Sequence, residues 1–235
     1  MPLPPRQEGQ EWFLDWALRS PKQAGIHLTA SWHAIQSLNR VYSNGEIESC
    51  TEYFGGIGAQ ALMIELGLET SLSCHWVGEF NPEAVAHLEE VLEPYDISVA
   101  YQDAYRPSSF LSADLAVLDF GDLTVWKTRE GEKHRALLDR VFGSEPSAIL
   151  LTDIACRYLH LHRSRYETLL GEGTCGSYET YLYAFLRRIQ GLYGYTLTAG
   201  YMHSWSTVLA LVPEGNAPVG ILRETPAGPV GLEIF

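Results

Sequence analysis

Between residues 50 and 154, short apolar runs alternate with longer segments of helical periodicity, and few architectures accommodate that alternation. CTEYF (50–54) reads as a strand and is followed by a helix over Gln60–Leu66. SCHWVGEF (73–80) reads as a second strand. NPEAVAHLEEVL (81–92) reads as a helix with Asn81 as its N-cap and Pro82 at its first position. ISVAYQ (97–102), ADLAVLDF (113–120) and SAILLTDI (147–154) are three further strands, and Glu130–Phe142 is a helix between the last two. ADLAVLDF is almost continuously apolar, as a strand covered on both faces of a parallel sheet has to be. Strands connected through helices pair in parallel, and the helices then cover both faces of the sheet.

The pattern changes toward the end of the chain. After the Gly-rich loop GEGTCGS (171–177), Ser177 is placed to cap a helix over 178–191. YTLTAGY (195–201) and SWSTVLALV (204–212) are strand-like runs separated only by Met202 and His203. A connection that short allows an antiparallel hairpin and forbids a parallel crossover. Residues 214–235, punctuated by Gly and Pro, read as an extended arm with one or two short strands. Residues 1–46 read as a helical extension. EWFLDWAL (11–18) gathers Trp12, Phe13 and Trp16 on one side of a short helix. TASWHAIQSLNRV (29–41) spaces Trp32, Ile35, Leu38 and Val41 at helical intervals. SNGE (43–46) is a turn, and residues 47–213 form the main domain.

Composition narrows the functional classes. A chain of 235 residues with 46% hydrophobic and 19% charged residues can bury a substantial core and is not of the disordered type. No apolar run approaches the length of a membrane span, and MPLPPRQEGQ lacks the apolar core of a secretory signal. Cys50, Cys74, Cys156 and Cys175 form no CxxC pair, which points away from a metal knuckle and toward reduced thiols in a cytoplasmic protein. A net charge of −13 argues against coating nucleic acid by bulk charge but leaves room for a local basic patch.

The chemistry concentrates at the first strand–turn–helix. Gly56-Ile57-Gly58-Ala59-Gln60-Ala61 fits GxGxxA, a turn that aims backbone N–H groups and a helix N-terminus at a ligand. Glu79 ends the second strand 21 residues after Gly58, where an acid can accept from ribose hydroxyls. Two ligands compete for such a turn. A dinucleotide brings pyrophosphate, which the Glu52 carboxylate would repel. S-adenosylmethionine brings an ammonium group, which that carboxylate would attract, and no phosphate.

Here the residues resemble the class I S-adenosylmethionine-dependent methyltransferases. Glu52-x-Phe54-x-Gly56-x-Gly58 is similar to their first motif, in the Phe-containing form of the DNA methyltransferases. EFNPEA (79–84) resembles the second motif, which implies that Glu79 holds the ribose and Phe80 packs on adenine. YQDA (101–104) resembles the third, with Asp103 accepting from the adenine amino group beside Ala104, and ADLAVLDFGD (113–122) occupies the place of the fourth. The cofactor set so implied is Glu52, Phe54, Gly56, Ile57, Gly58, Glu79, Phe80, Asp103 and Ala104. The expected fold is α/β: a three-layer Rossmann-like sandwich whose mostly parallel seven-stranded sheet ends in an antiparallel hairpin.

The catalytic half departs from the DNA enzymes. Cytosine-5 methyltransferases need a Pro-Cys after strand four, where this chain has Phe120-Gly121-Asp122 and no cysteine between Cys74 and Cys156. The Pro-Pro-aromatic signature of the amino-methyltransferases is also absent. The candidate catalytic groups are therefore strand-end acids, Asp119 and Asp122 after strand four and Asp153 after strand five, positioned to orient or deprotonate an amine or hydroxyl. CRYLHLHRSRY (156–166) forms a positive island in which Arg157, His160, Arg163 and Arg165 could meet phosphates of a nucleic acid or an anionic small substrate. His160 and His162 are two apart and would diverge on a helix, so no metal is expected. Tyr178 and Tyr181, on the helix after the Gly-rich loop, are the aromatics free to contact a base, and His203 at the hairpin tip is a further substrate contact. The function so indicated is S-adenosylmethionine-dependent methylation of a nucleic acid or nucleobase-containing molecule. The alternatives are a catalytically silent protein of the same shape, or an NAD(P)-dependent oxidoreductase.

Overall fold

The computed structural model describes residues 21–42, 45–56, 58–109, 111–119, 129–152, 167, 177–203, 206–216, 220 and 222–224. In chain order the elements are α1 (Pro21–Val41), β1 (Ser49–Tyr53), α2 (Ala59–Gly67), β2 (Cys74–Glu79), α3 (Pro82–Leu92), β3 (Ser98–Tyr101) and β4 (Leu115–Asp119). They continue with α4 (Arg129–Gly143), β5 (Ala148–Thr152), α5 (Tyr178–Tyr193), β6 (Tyr195–His203), β7 (Ser206–Pro213) and β8 (Leu222–Glu224).

The strands form one sheet of order β3-β2-β1-β4-β5-β7-β6-β8. β1 to β5 are mutually parallel. β7 runs antiparallel to both β5 and β6. The chain moves outward from β1 to β2 and β3 on one side and resumes at β4 on the other. The switch point therefore lies between β1 and β4, and open α/β sheets bind their ligands at the carboxyl ends of the strands there.

Alternation along the strands divides the core. Leu115, Val117, Leu150, Val208 and Ala210 face one way and pack with Ala30, Ala34, Leu38, Met63 and Ile64 of α1 and α2. Ala116, Leu118, Ile149, Leu151 and Leu209 face the other way and pack with Leu137, Leu138, Leu182 and Phe185 of α4 and α5. Val77 of β2 packs with Leu88 and Leu92 of α3 on the first face. Asn81 caps α3 as its sequence requires, its side chain accepting from the Glu83 N–H, and Ser177 caps α5 by accepting from Thr180 N–H.

Three boundaries differ from expectation. α1 begins at Pro21 rather than near residue 29, because Pro suits a first helical turn while the flanking apolar spacing is too sparse to reveal it. Met202 and His203 belong to β6, paired with Thr207 and Ser206, so the hairpin turn falls after His203 and not on it. The sheet has eight strands where seven were expected. β8 is too short to show a period. It is held by tertiary contacts: Gly220 N–H donates to Leu197 O at 2.6 Å, and a Cβ on Gly200 would lie 2.5 Å from Leu222 Cδ2. The segment 11–18 lies outside the described residues.

Candidate functional site

The turn after β1 reverses within a few residues through left-handed backbone. Phe54, Gly56 and Gly58 have φ of 68°, 55° and 81°. For Phe54 this costs on the order of 1–3 kcal/mol, strain of the kind that clusters at ligand sites. Its neighbours hold it in place. Phe54 N–H and Gly55 N–H both donate to Gly78 O, at 3.0 and 3.1 Å, and Gly58 N–H donates to Gly55 O at 2.8 Å. The glycines differ in what they face. A Cβ on Gly55 would lie 2.2 Å from Val77 Cγ1, and one on Gly58 would lie 3.0 Å from Leu88 Cδ2. A Cβ on Gly56 would meet only Phe54 O, at 3.9 Å, so Gly56 marks the open side of the turn. Gly58 is the glycine that lets α2 approach α3. Ile57 lies outside the described residues.

Glu79 organises this turn. Its Oε2 accepts from Gly56 N–H at 3.1 Å, and its Oε1 accepts from Phe80 N–H at 2.7 Å and Asn81 N–H at 2.9 Å. A carboxylate offers about four lone-pair sites, so one remains for a ribose hydroxyl.

Glu52 lies one step deeper in β1 and is 1% exposed. Its Oε2 has no hydrogen-bond partner among the described residues. Burial, with the nearby Asp119 and then Glu79, pushes its carboxyl well above the usual range. Register explains the grouping. Tyr53 pairs with Gly78 and Leu118, so Glu79 and Asp119 each stand one residue beyond that level, at the ends of β2 and β4. Alternation turns Glu52, Glu79 and Asp119 toward the same face, the one covered by α1, α2 and α3.

The segment after β3 forms the other wall. Asp103 Oδ1 accepts from Tyr105 N–H at 3.0 Å, and its Oδ2 lies 3.7 Å from Arg106 Nε in a solvent-exposed pair of little energetic weight. Ala104 is buried, and Phe80 is half-buried. Arg140 of α4 grips the segment from behind, its Nη2 donating to Ala104 O at 3.1 Å and Tyr105 O at 3.2 Å. Tyr53 fixes the far end, its hydroxyl donating to Leu111 O at 2.9 Å. The Phe54 and Tyr105 rings stand 5.4 Å apart.

Other expected groups sit elsewhere. Tyr181 is buried, and Tyr178 stacks on it at 6.2 Å while its hydroxyl accepts from Thr207 Oγ1 at 2.8 Å. Neither ring is the free aromatic the sequence suggested, because β7 passes close beside α5. His203 ends β6. Asp122, Asp153, Arg157, His160, Arg163 and Arg165 lie outside the described residues.

The structure adds polar groups that sequence reading missed. Thr152 is level with Asp119 in the pairing of β5 with β4, and its buried Oγ1 has no partner among the described residues. The same holds for Nε2 of Gln60, at the start of α2. Burial lowers the pKa of the His27 imidazole on α1, and the Asp119 carboxylate opposes that shift. Only Gln60, inside the Gly-rich motif, carried a sequence signal.

Neither a family model nor a curated protein matches this sequence. Solved structures do. The magnesium protoporphyrin IX methyltransferase ChlM from Synechocystis PCC 6803 with bound S-adenosylhomocysteine is 14% identical, covers 88% of this chain and 96% of its own, and superposes with a TM-score of 0.56. The same enzyme with bound S-adenosylmethionine matches at 14% identity over 88% of this chain and 93% of its own, with a TM-score of 0.54. The chain has the Rossmann-like methyltransferase fold. Within that fold the turn after β1, the end of β2 and the segment after β3 lie together at the carboxyl ends of those strands, beside the switch point. No helix among the described residues is long and apolar enough to cross a membrane.

Proposed function

We propose that the chain is a cytoplasmic S-adenosylmethionine-dependent methyltransferase whose acceptor is a nucleic acid or another nucleobase-containing molecule. Glu52 carries the reading: a buried carboxyl with an oxygen that has no partner among the described residues, beside two further acids, at the switch point of a methyltransferase fold. Such a group is costly until a cation compensates it. The ammonium of S-adenosylmethionine is such a cation, whereas the pyrophosphate of a dinucleotide would add negative charge to a set of carboxylates.

When bound, S-adenosylmethionine supplies an electrophilic methyl group on a sulfonium. The chain's residues bind and orient it. Glu52 faces the methionine ammonium, the open side of Gly56 admits the ligand, and the remaining lone pair of Glu79 takes a ribose hydroxyl. Phe80, Asp103 and Ala104 surround the adenine. Residues 47–213 form the unit that does this, flanked by 1–46 and 214–235. The nucleobase acceptor is supported by the Phe-containing first motif and by the basic island at 156–166.

Calorimetry with S-adenosylhomocysteine and with NAD tests the reading. Micromolar binding of the first and none of the second is expected, with at least a tenfold loss in Glu52→Gln. NAD binding without S-adenosylhomocysteine binding would replace the reading with that of an oxidoreductase.

A further inference from the structure

The proposed cofactor contacts follow the order of the strands. Asp103 stands after β3, Glu79 ends β2 and Glu52 lies in β1, and these three strands are consecutive along one side of the sheet. Adenine, ribose and the methionine ammonium are therefore set out in the direction from β3 to β1. The next strands in the sheet are β4 and β5. Their carboxyl ends are the part of the edge that the cofactor leaves to an acceptor.

Asp119 and Thr152 are partners in the parallel register of those two strands. Parallel partners turn their side chains to the same face, and neighbouring strands lie about 4.8 Å apart. Val117 and Leu150, two residues back on each strand, pack with α1 and α2, as does Cys50, two residues before Glu52. Asp119, Thr152 and Glu52 thus share one face. Extending the pairing of Leu151 with Leu209 by one residue sets Val208 opposite Thr152, and Tyr201 pairs with Val208. Val208 and Tyr201 are buried on that same face, and the His33 ring of α1 lies 5.3 Å from that of Tyr201. Across the carboxyl edge the row runs from the acids Glu79 and Asp119, through the Thr152 hydroxyl, to an apolar and an aromatic side chain. Thr152 stands where the row changes.

Thr152 is 1% exposed, and its Oγ1 has no hydrogen-bond partner among the described residues. A hydroxyl carries one donor and two lone pairs, and leaving it unpaired away from water is unfavourable. Val would fill the same place in a strand without a polar atom, so packing supplies no reason for the hydroxyl. On the basis of the methyltransferase reading, we infer that Thr152 is an acceptor-binding residue: its Oγ1–H donates to a lone-pair atom of the nucleobase, while the Asp119 carboxylate one strand away accepts from an N–H of the same base. The pair reads an edge with a donor beside an acceptor, such as the amino group and ring nitrogen of adenine or cytosine, or the amide of guanine or uracil. A site built to hydrogen-bond such groups discriminates against a ring that lacks either. Thr152 binds and orients the base and forms no covalent bond.

The test loads the full chain with S-adenosylhomocysteine and adds adenosine, cytidine, guanosine or uridine. Threonine methyl groups are labelled for NMR, and Thr152 is assigned through Thr152→Val. At least one nucleoside should move the Thr152 methyl resonance. Calorimetry should show that nucleoside bound about fivefold or more weakly by Thr152→Val, and within about twofold of wild type by Thr152→Ser, which keeps the hydroxyl. Both variants should keep the wild-type affinity for S-adenosylhomocysteine, and Thr152→Val should melt no lower than wild type. If S-adenosylhomocysteine does not bind, the cofactor reading fails and the inference with it. If it binds but no nucleoside does, the nucleobase acceptor and the inference are both overturned. If a nucleoside binds and Thr152→Val holds it as tightly as wild type, the inference alone is overturned, and a lower melting temperature in that variant would assign the hydroxyl to a structural bond.

Discussion

The Glu79 carboxylate holds the backbone of Gly56: its Oε2 accepts that residue's N–H at 3.1 Å across the gap between the end of β2 and the turn after β1. With Phe80 N–H and Asn81 N–H on its other oxygen, Glu79 is a structural acid before it is a ligand contact. Glu79→Gln places an amide NH2 against backbone donors and should leave at least one of them unpaired, at about 1–3 kcal/mol. Thermal unfolding several degrees below wild type is expected, together with weaker S-adenosylhomocysteine binding. A variant that melts with wild type but loses the ligand would mean that these backbone bonds contribute little.

Glu52 should behave in the opposite sense. Its folded-state pKa is raised from 4.5, so the stability it contributes is complete below pH 4.5 and is lost as pH rises through the folded value. Glu52→Gln keeps the shape and removes the charge. The unliganded variant should therefore gain stability relative to wild type at neutral pH, and the gain should vanish in acid. Ligand affinity should fall at least about tenfold, because the ammonium loses a buried partner. Denaturant titrations at pH 4 and 7.5, with and without S-adenosylhomocysteine, measure both effects.

The two left-handed glycines of the turn separate packing from binding. Gly58→Ala adds a Cβ 3.0 Å from Leu88 Cδ2 at a φ of 81°, so about 1–3 kcal/mol of stability should be lost. Gly56→Ala adds one into open space at a φ of 55°, which strains the backbone without a clash. It should fold with a smaller loss and bind S-adenosylhomocysteine markedly more weakly. Paired melting and calorimetry decide the matter: equal affinity losses in the two variants would remove the distinction between a ligand side and a packing side.

His75 makes an acid-sensitive point remote from the turn. It is buried on β2 opposite Cys50, neither ring nitrogen has a hydrogen-bond partner among the described residues, and burial lowers its pKa from 6.5 to about 4. The unfolded chain takes up its proton below pH 6.5 and the folded chain resists until about pH 4. Stability should therefore fall as pH drops through that window, by at most about 1.4 kcal/mol per unit. Glu65 Oε2, 3.6 Å from Nδ1, offsets part of this once the ring is charged. In His75→Leu the loss between pH 6.5 and 4.5 should shrink, as urea unfolding at the two pH values would read. An unchanged difference would assign the acid sensitivity to other groups.

How much of the site could be read beforehand follows from how local each signal is. The Gly-rich turn and the caps Asn81 and Ser177 involve residues within a few positions of one another, and Glu79 stands at a fixed spacing of 21 from Gly58, so chain spacing alone defines them. Arg140 gripping Ala104 O joins residues 36 apart, and nothing near either residue announces the other. Tyr178 misled for the same reason: its aromatic ring suggested a free surface, and only the course of β7 supplies Thr207 as its hydrogen-bonding neighbour.

From the sequence alone, alternation and periodicity settled the layered α/β architecture, and the pairing of Glu52 with a Gly-x-Gly turn selected a cationic ligand over pyrophosphate. Those are one-dimensional properties, because secondary-structure period and turn chemistry depend on adjacent residues. Only the tertiary structure decided that Gly56 and not Gly58 faces outward, that Glu79 is already engaged by three amides, and that Arg140 of α4 holds the segment after β3. Each depends on register between strands and on where a helix ends relative to the sheet, quantities fixed by packing of residues far apart in the chain.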